Sequence, residues 1–397
     1  MKNHIIPYGR QHITDEDIQA VVDVLKSNYL TQGPHIDAFE TAFARYVGSQ
    51  YAVAVSNGTT ALHLGVLVLG LKPGEKVITT PITFSASANC VRYCGAEVLF
   101  ADIDSDTYLI DLAHVKQLLE THPKGSIKGI IPVDMAGNVV NTEALRNLVK
   151  PYGCWILEDA CHAPGGYFTD SEGNRQLAGN NRYSDATVFS FHPVKHIACG
   201  EGGMVTTNDA TVYKQLLRLR SHGITKGDDS YTNSMKLACS IEGATEYPGW
   251  YMEMQQLGYN YRLTDIQAAL GLSQLKRVEQ GLARRRELAA TYTKAFMGKH
   301  YLIGQSSNVD GHAYHLYILE VEDRLGLYKH LREYGIFAQI HYIPVHLMPY
   351  YRQQGWKPGD LPVAETYYSR CISIPMYPTL TDEEQAYVIE QINTYYD

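Results

Sequence analysis

Lys195 stands at the centre of S-D-A-T-V-F-S-F-H-P-V-K-H-I-A-C-G-E-G-G, residues 184–203. Residues 186–191 are apolar, β-branched and aromatic, so they read as a buried strand, which Pro193 stops just before the lysine. A lysine is ordinarily solvated. Here it falls in a loop at a strand end, with Gly200, Gly202 and Gly203 following at once and letting backbone turn sharply or approach a ligand. A second constellation lies upstream, where an apolar run over 154–158 leads into E-D-A-C-H-A and puts Asp159 at another strand end. An amine and a carboxylate so placed are what pyridoxal phosphate chemistry requires. The amine forms a Schiff base with the cofactor aldehyde, and the carboxylate keeps the pyridine nitrogen protonated so that the ring accepts electrons.

A phosphate needs its own holder. Residues 51–69, Y-A-V-A-V-S-N-G-T-T-A-L-H-L-G-V-L-V-L, read as a strand, a small polar turn at 56–60 and an apolar helix. That turn offers backbone N–H groups at a helix N-terminus, where the helix dipole also favours an anion. The same Ser/Asn/Thr composition is equally that of an ordinary helix cap.

The elements that position these groups alternate. Strands are expected near 51–55, 76–79, 97–101, 127–131 and 154–158, and helices near 59–69, 84–93, 111–120 and 141–150. Alternation of this kind specifies an α/β fold with a mainly parallel sheet sandwiched by helices. Ligands then belong at the carboxyl ends of the strands, which collects the 56–60 turn, Phe84, Asp159 and Lys195 in one crevice. Helices near 13–27 and 34–47 and an extended arm over 6–11 precede this core. Residues 223–258 have little periodicity and read as a long functional or partner-binding loop. Helices at 263–275 and 280–297, a strand at 313–321, a helix at 324–334 and a final helix after Thr381 suggest a smaller C-terminal α/β domain, dividing the chain into 1–275 and 276–397.

Composition narrows the partners. The 397 residues are 45% hydrophobic and 19% charged, with net charge −8, enough for a large core and no disorder. No Lys/Arg block occurs beyond Arg284–Arg286, so nucleic acid is not expected as a partner. No run of about 18 apolar residues occurs and the start M-K-N-H lacks an apolar signal core, so a cytoplasmic protein without membrane association is expected. Seven scattered cysteines fit reduced thiols rather than a disulfide framework. The pairs Cys90/Cys94 and His192/His196 lack the further ligands of a zinc site, and no metal is expected.

Five motifs in order, S-N-G-T-T-A-L, P-I-T-F-S-A-S-A-N, E-D-A-C-H-A, S-F-H-P-V-K with E-G-G, and G-Y-N-Y-R-L-T-D-I-Q-A-A-L-G, resemble the DegT-type sugar aminotransferases over nearly the whole chain. These are fold type I pyridoxal phosphate enzymes that aminate nucleotide-linked keto-sugars. The resemblance implies that Lys195 carries the cofactor and moves the reacting proton, and that Asp159 holds the pyridinium. It implies that Gly58, Thr59, Thr60 and Ser190 hold the phosphate, that Phe84 stacks on the ring, and that His162 lies beside it. It further implies a homodimer in which Asn260 reaches the partner's cofactor phosphate, with Arg262 shaping that wall. Tyr8, His341 and Tyr342 are then candidates for the sugar side. The opening I-P-Y-G-R-Q and the later H-Y-I-P-V-H resemble the branch serving pseudaminic acid biosynthesis, which implies L-glutamate and a UDP-linked 4-keto-6-deoxy-N-acetylhexosamine as substrates. GDP- and dTDP-sugar relatives share the core motifs. Related keto-sugar dehydratases carry histidine in place of Lys195, which speaks against that activity here. The remaining rival is a cofactor-binding regulator without turnover.

Overall fold

A computed structural model describes residues 5–226, 231–243 and 245–397. Residues 1–4 of the polar start, and 227–230 and 244 of the long irregular stretch, lie outside the described residues. Seven strands form the main sheet: β1 (Tyr51–Val55), β2 (Lys76–Thr79), β3 (Glu97–Phe100), β4 (Ile127–Ile131), β5 (Trp155–Asp159), β6 (Ala186–Ser190) and β7 (Gly203–Thr207). Their order is β1-β7-β6-β5-β4-β2-β3, and β7 alone runs antiparallel to its neighbours. The expected mainly parallel sheet is therefore present, and β1, β2, β4, β5 and β6 end on one edge.

Alternate residues of a strand feed opposite faces, and both faces are buried. Val53 and Val55 enter one apolar cluster with Leu62 and Leu64, whereas Ala52 and Ala54 enter another with Phe39 and Phe43. At Gly129 of β4 a Cβ would come 2.1 Å from the Trp155 indole of β5, so only glycine admits that side chain at this register.

A separate apolar cluster around Tyr292, Tyr317 and Ile372 packs beneath a three-stranded antiparallel sheet of Leu302–Gln305, Tyr317–Val321 and Cys371–Ile374. The N-terminal arm joins it, with Ile6–Pro7 pairing in parallel with Ile336–Phe337 and Tyr8 accepting the Met376 N–H at 2.9 Å.

Two expectations need correction. The strand expected over 313–321 begins only at Tyr317, because 313–316 are held by tertiary hydrogen bonds instead. Ala313 donates to the Gly137 carbonyl at 2.8 Å, Leu316 donates to that of Ala136 at 3.2 Å, and Tyr314 takes a φ of 46°. The stretch 223–258 is less irregular than its composition suggests, since Ile224–Lys226 pairs antiparallel with Met252–Met254 and Met235–Cys239 is a short helix. Among the described residues no helix is long and apolar enough to cross a membrane.

Candidate active site

The strand ends surround a cavity of about 520 Å³, within the roughly 300–1,000 Å³ usual for small-molecule sites. Lys195, Asp159, Gly58, Thr59, Phe84, His162, Ser190, Tyr8, His341 and Tyr342 all line it, so ten of the sequence candidates meet in one place.

Lys195 follows β6 in a loop closed by its own N–H to the His192 carbonyl at 2.8 Å and by the Cys199 N–H to the Phe191 carbonyl at 2.9 Å. Burial pushes the amine down from 10.5 to about 8, against the opposing pull of Cys161 and Asp159. Its Nζ lies 3.4 Å from His315 Nε2. His315 was not foreseen, because it lies in the stretch expected to be strand.

Asp159 ends β5 and is buried. Its Oδ2 accepts the Ser87 hydroxyl at 2.6 Å and its Oδ1 accepts the Cys161 N–H at 3.2 Å. Ser87 in turn pairs with Thr83 Oγ1 at 2.8 Å, so the carboxylate is fixed from helix Ala86–Tyr93 as well as from its own strand. Ser87 carried no sequence signal beyond its place in that helix.

His162 Nδ1 accepts the Ala136 N–H at 3.3 Å, which assigns the ring proton to Nε2, 3.3 Å from the Tyr342 hydroxyl. Burial holds His162 well below the ordinary imidazole range, with the Lys195 charge adding to the effect, and it is neutral at physiological pH. The same causes hold His341 down to about 3, with its Nδ1 2.9 Å from Ser373 Oγ. The Tyr8 ring lies 5.1 Å from that of His341, and Phe84, 61% exposed, lies 6.4 Å from Tyr342.

Helix Gly58–Val68 opens against this cavity. Asn57 Oδ1 accepts the Thr60 N–H at 2.9 Å, and Thr60 Oγ1 accepts the Asn57 N–H at 3.2 Å. Thr60, expected to face the cofactor, is therefore spent on the cap and does not line the cavity. The first N–H groups of a helix lack intrahelical partners, so those of Gly58 and Thr59 are the ones left at the cavity wall. A Cβ on Gly58 would come 2.9 Å from Ser190 Cβ and 3.5 Å from Cys161 Sγ, so a glycine keeps this cradle open beside the Ser190 hydroxyl. Asn260 and Arg262 stand outside the cavity lining, and Asn260 is exposed.

These residues fit pyridoxal phosphate: a free helix N-terminus with a hydroxyl for the dianion, a fixed carboxylate, and an amine of depressed basicity in one cavity. Fold and site together define an aminotransferase of the pyridoxal phosphate class. Comparison with known proteins agrees. The chain belongs to the DegT/DnrJ/EryC1/StrS aminotransferase family, whose model matches residues 11–393. It is 38% identical over 401 residues to the spore coat polysaccharide biosynthesis protein SpsC of Bacillus subtilis, covering 98% of this chain and 97% of that one. Helicobacter pylori PseC, an aminotransferase involved in the biosynthesis of pseudoaminic acid, matches with TM-score 0.86 and 30% identity over 99% of both chains. Spr1654 of Streptococcus pneumoniae, solved in its PLP form, matches with TM-score 0.85 and 28% identity over 99% of this chain and 98% of that one. The protein is a sugar aminotransferase that uses pyridoxal phosphate.

Proposed function

We propose that the protein transfers the amino group of L-glutamate to the C4 keto group of a UDP-linked 4-keto-6-deoxy-N-acetylhexosamine, as a step in pseudaminic acid biosynthesis. The observation that carries the transfer is the convergence of Lys195, Asp159 and the open N-terminus at Gly58 on one cavity. The specific sugar is supported by the arm residue Tyr8, packed against His341 of H-Y-I-P-V-H, and by the likeness to PseC.

In this reading Gly58, Thr59 and Ser190 hold the cofactor phosphate, Asp159 its ring nitrogen, and Phe84 and His162 flank the ring. Pyridoxal phosphate supplies an aldehyde carbon for the incoming amine and a ring that accepts electron density. Lys195 Nζ, neutral above about pH 8, acts first as nucleophile and then takes the proton from the donor α-carbon. It passes that proton on within the first half-reaction, and in the second the same amine would deliver a proton to the sugar C4. The Asp159 carboxylate, fixed by Ser87 and Cys161, stabilises positive charge at the ring nitrogen throughout. Neutral His162 adds no competing charge. Tyr8, His341 and Tyr342 form the wall that orients the sugar and excludes water.

The proposal extends to a homodimer in which Asn260 and Arg262 complete the partner's site. Support comes from the exposed apolar residues Trp250, Met252, Met254 and Leu257, which precede Asn260 and are costly to leave in water. It also takes 1–275 as the cofactor-binding domain and 276–397 as the smaller one, a division supported by the separate core around Tyr292 and Tyr317.

The test is a panel of UDP-, GDP- and dTDP-linked 4-keto-6-deoxy sugars incubated with enzyme and L-glutamate, followed by mass spectrometry. Amination of the UDP-N-acetylhexosamine in preference to the rest is expected. Preference for a GDP- or dTDP-sugar would overturn the substrate assignment, and amination of none would overturn the reading altogether.

A further inference from the structure

Lys195 Nζ has one hydrogen-bond partner among the described residues, Nε2 of His315 at 3.4 Å. His315 lines the main cavity beside it and is buried. Its backbone is held from two elements. Arg285, from helix Val278–Phe296, donates Nη1 to the Tyr314 carbonyl at 3.1 Å and to the His315 carbonyl at 3.3 Å, and the Leu316 N–H donates to the Ala136 carbonyl at 3.2 Å. Its ring lies 4.4 Å from that of His162 and 5.9 Å from that of His196. Nε2 is thus a fixed point against which a flexible lysine can be aimed.

The two ring nitrogens of His315 are unequal. A protonated amine has donors only, so Nε2 must accept from it, and the ring proton then sits on Nδ1. Nδ1 is buried and has no partner. An orphaned buried N–H is costly, so His315 anchors the charged amine at a penalty. A neutral amine can make the same bond with one N–H, which turns its lone pair away from the imidazole. Asp159, Cys161 and Arg285 also act on the amine electrostatically, and His162, His196 and His341 feel its charge, but none of these hydrogen-bonds Nζ.

We propose that His315 is a positioning residue for Lys195: its Nε2 accepts one N–H of the free amine and turns the lone pair towards the cavity. Orientation of a reacting group is lost when its anchor is removed. The inference rests on the reading of Lys195 as the cofactor-bearing amine.

The test compares His315→Leu, which has no acceptor, with His315→Gln, whose side-chain carbonyl is an acceptor without a ring proton to strand. Cofactor-free protein is mixed with saturating pyridoxal phosphate across pH, the rate is followed by absorbance, and the modified lysine is identified by mass spectrometry after borohydride trapping. His315→Leu is expected to be about tenfold slower on the alkaline plateau, the worth of one hydrogen bond, and His315→Gln to match the parent there. The pH midpoint is expected to move in opposite directions. It falls below about 8 in His315→Leu, where the charged amine loses its acceptor, and rises in His315→Gln, where the stranded Nδ1–H is gone. In the loaded enzyme, α-deuterated glutamate is expected to show a larger isotope effect on kcat in His315→Leu, with KM unchanged. His315→Phe keeps a ring against His162 and lacks an acceptor, so it gives the leucine result should that variant fail to fold. Plateau rates equal to the parent's in both acceptor-free variants, or midpoints that move together in the leucine and glutamine variants, would overturn the role of His315 while leaving Lys195 in place. Trapping at a different lysine would overturn the reading of Lys195 as well.

Discussion

Lys195 offers the sharpest quantitative prediction, because its amine must be neutral to attack an aldehyde. An ordinary lysine at 10.5 is uncharged, at about pH 7.5, in about one molecule in a thousand, whereas one at about 8 is uncharged in about a quarter. Burial of the amine, whose Nζ lies 3.4 Å from His315 Nε2, therefore makes the cofactor-free protein roughly two-hundredfold better supplied with nucleophile than an exposed lysine would be. The sign follows from the direction of the shift: reactivity is low below pH 7, rises through about 8 and is level above 9. Mixing cofactor-free protein with pyridoxal phosphate across this range, trapping with borohydride and quantifying the modified Lys195 peptide gives the curve. Lys195→Ala supplies the blank. A midpoint above about 10 would show that the amine is solvated and refute the argument from burial.

Other perturbations test the surrounding shell. Asp159→Asn keeps the shape but removes the charge opposite the ring nitrogen, so turnover should fall by several orders of magnitude while cofactor still binds, as followed by steady-state kinetics and absorbance. Ser87→Ala removes the 2.6 Å donor to a buried carboxylate and strands Thr83 Oγ1. A loss of about 1.5–3 kcal/mol in denaturant unfolding is expected, with weaker cofactor binding. Gly58→Ala forces a methyl to within 2.9 Å of Ser190 Cβ, so it should cost about 1–3 kcal/mol and release cofactor more readily in dialysis. Mixing Lys195→Ala with Asn260→Ala subunits should restore activity in hybrids if sites are shared. Full activity of Asn260→Ala alone would refute the shared site.

The strand-end residues were legible in the sequence because a parallel sheet has one functional edge, and short apolar runs closed by Pro193 or by Asp159 mark where each strand meets it. The cap at Asn57 shows the limit of that logic. Ser, Thr and Asn suit both a phosphate and a helix N-terminus, so residue type alone could not say that Thr60 serves the cap while Gly58 and Thr59 face the cavity. His315 was hidden for a different reason. Its position depends on Arg285 holding the Tyr314 and His315 carbonyls, a contact across 30 residues that overrides the local strand pattern of 313–316. Ser87 was hidden because its partner, Asp159, is 72 residues away. Nothing local in P-I-T-F-S-A-S-A-N distinguishes it from the other serine of that motif.

The measurement that bears most directly on the assignment follows nitrogen. Enzyme, nitrogen-labelled L-glutamate and the UDP-linked 4-keto-6-deoxy-N-acetylhexosamine are incubated together, and the sugar nucleotide is analysed by mass spectrometry. Label at C4 of the sugar with an equal amount of 2-oxoglutarate, absent in Lys195→Ala, is the predicted result. Label transferred equally well by Lys195→Ala, or no label in the sugar with cofactor-loaded wild-type enzyme, would contradict it.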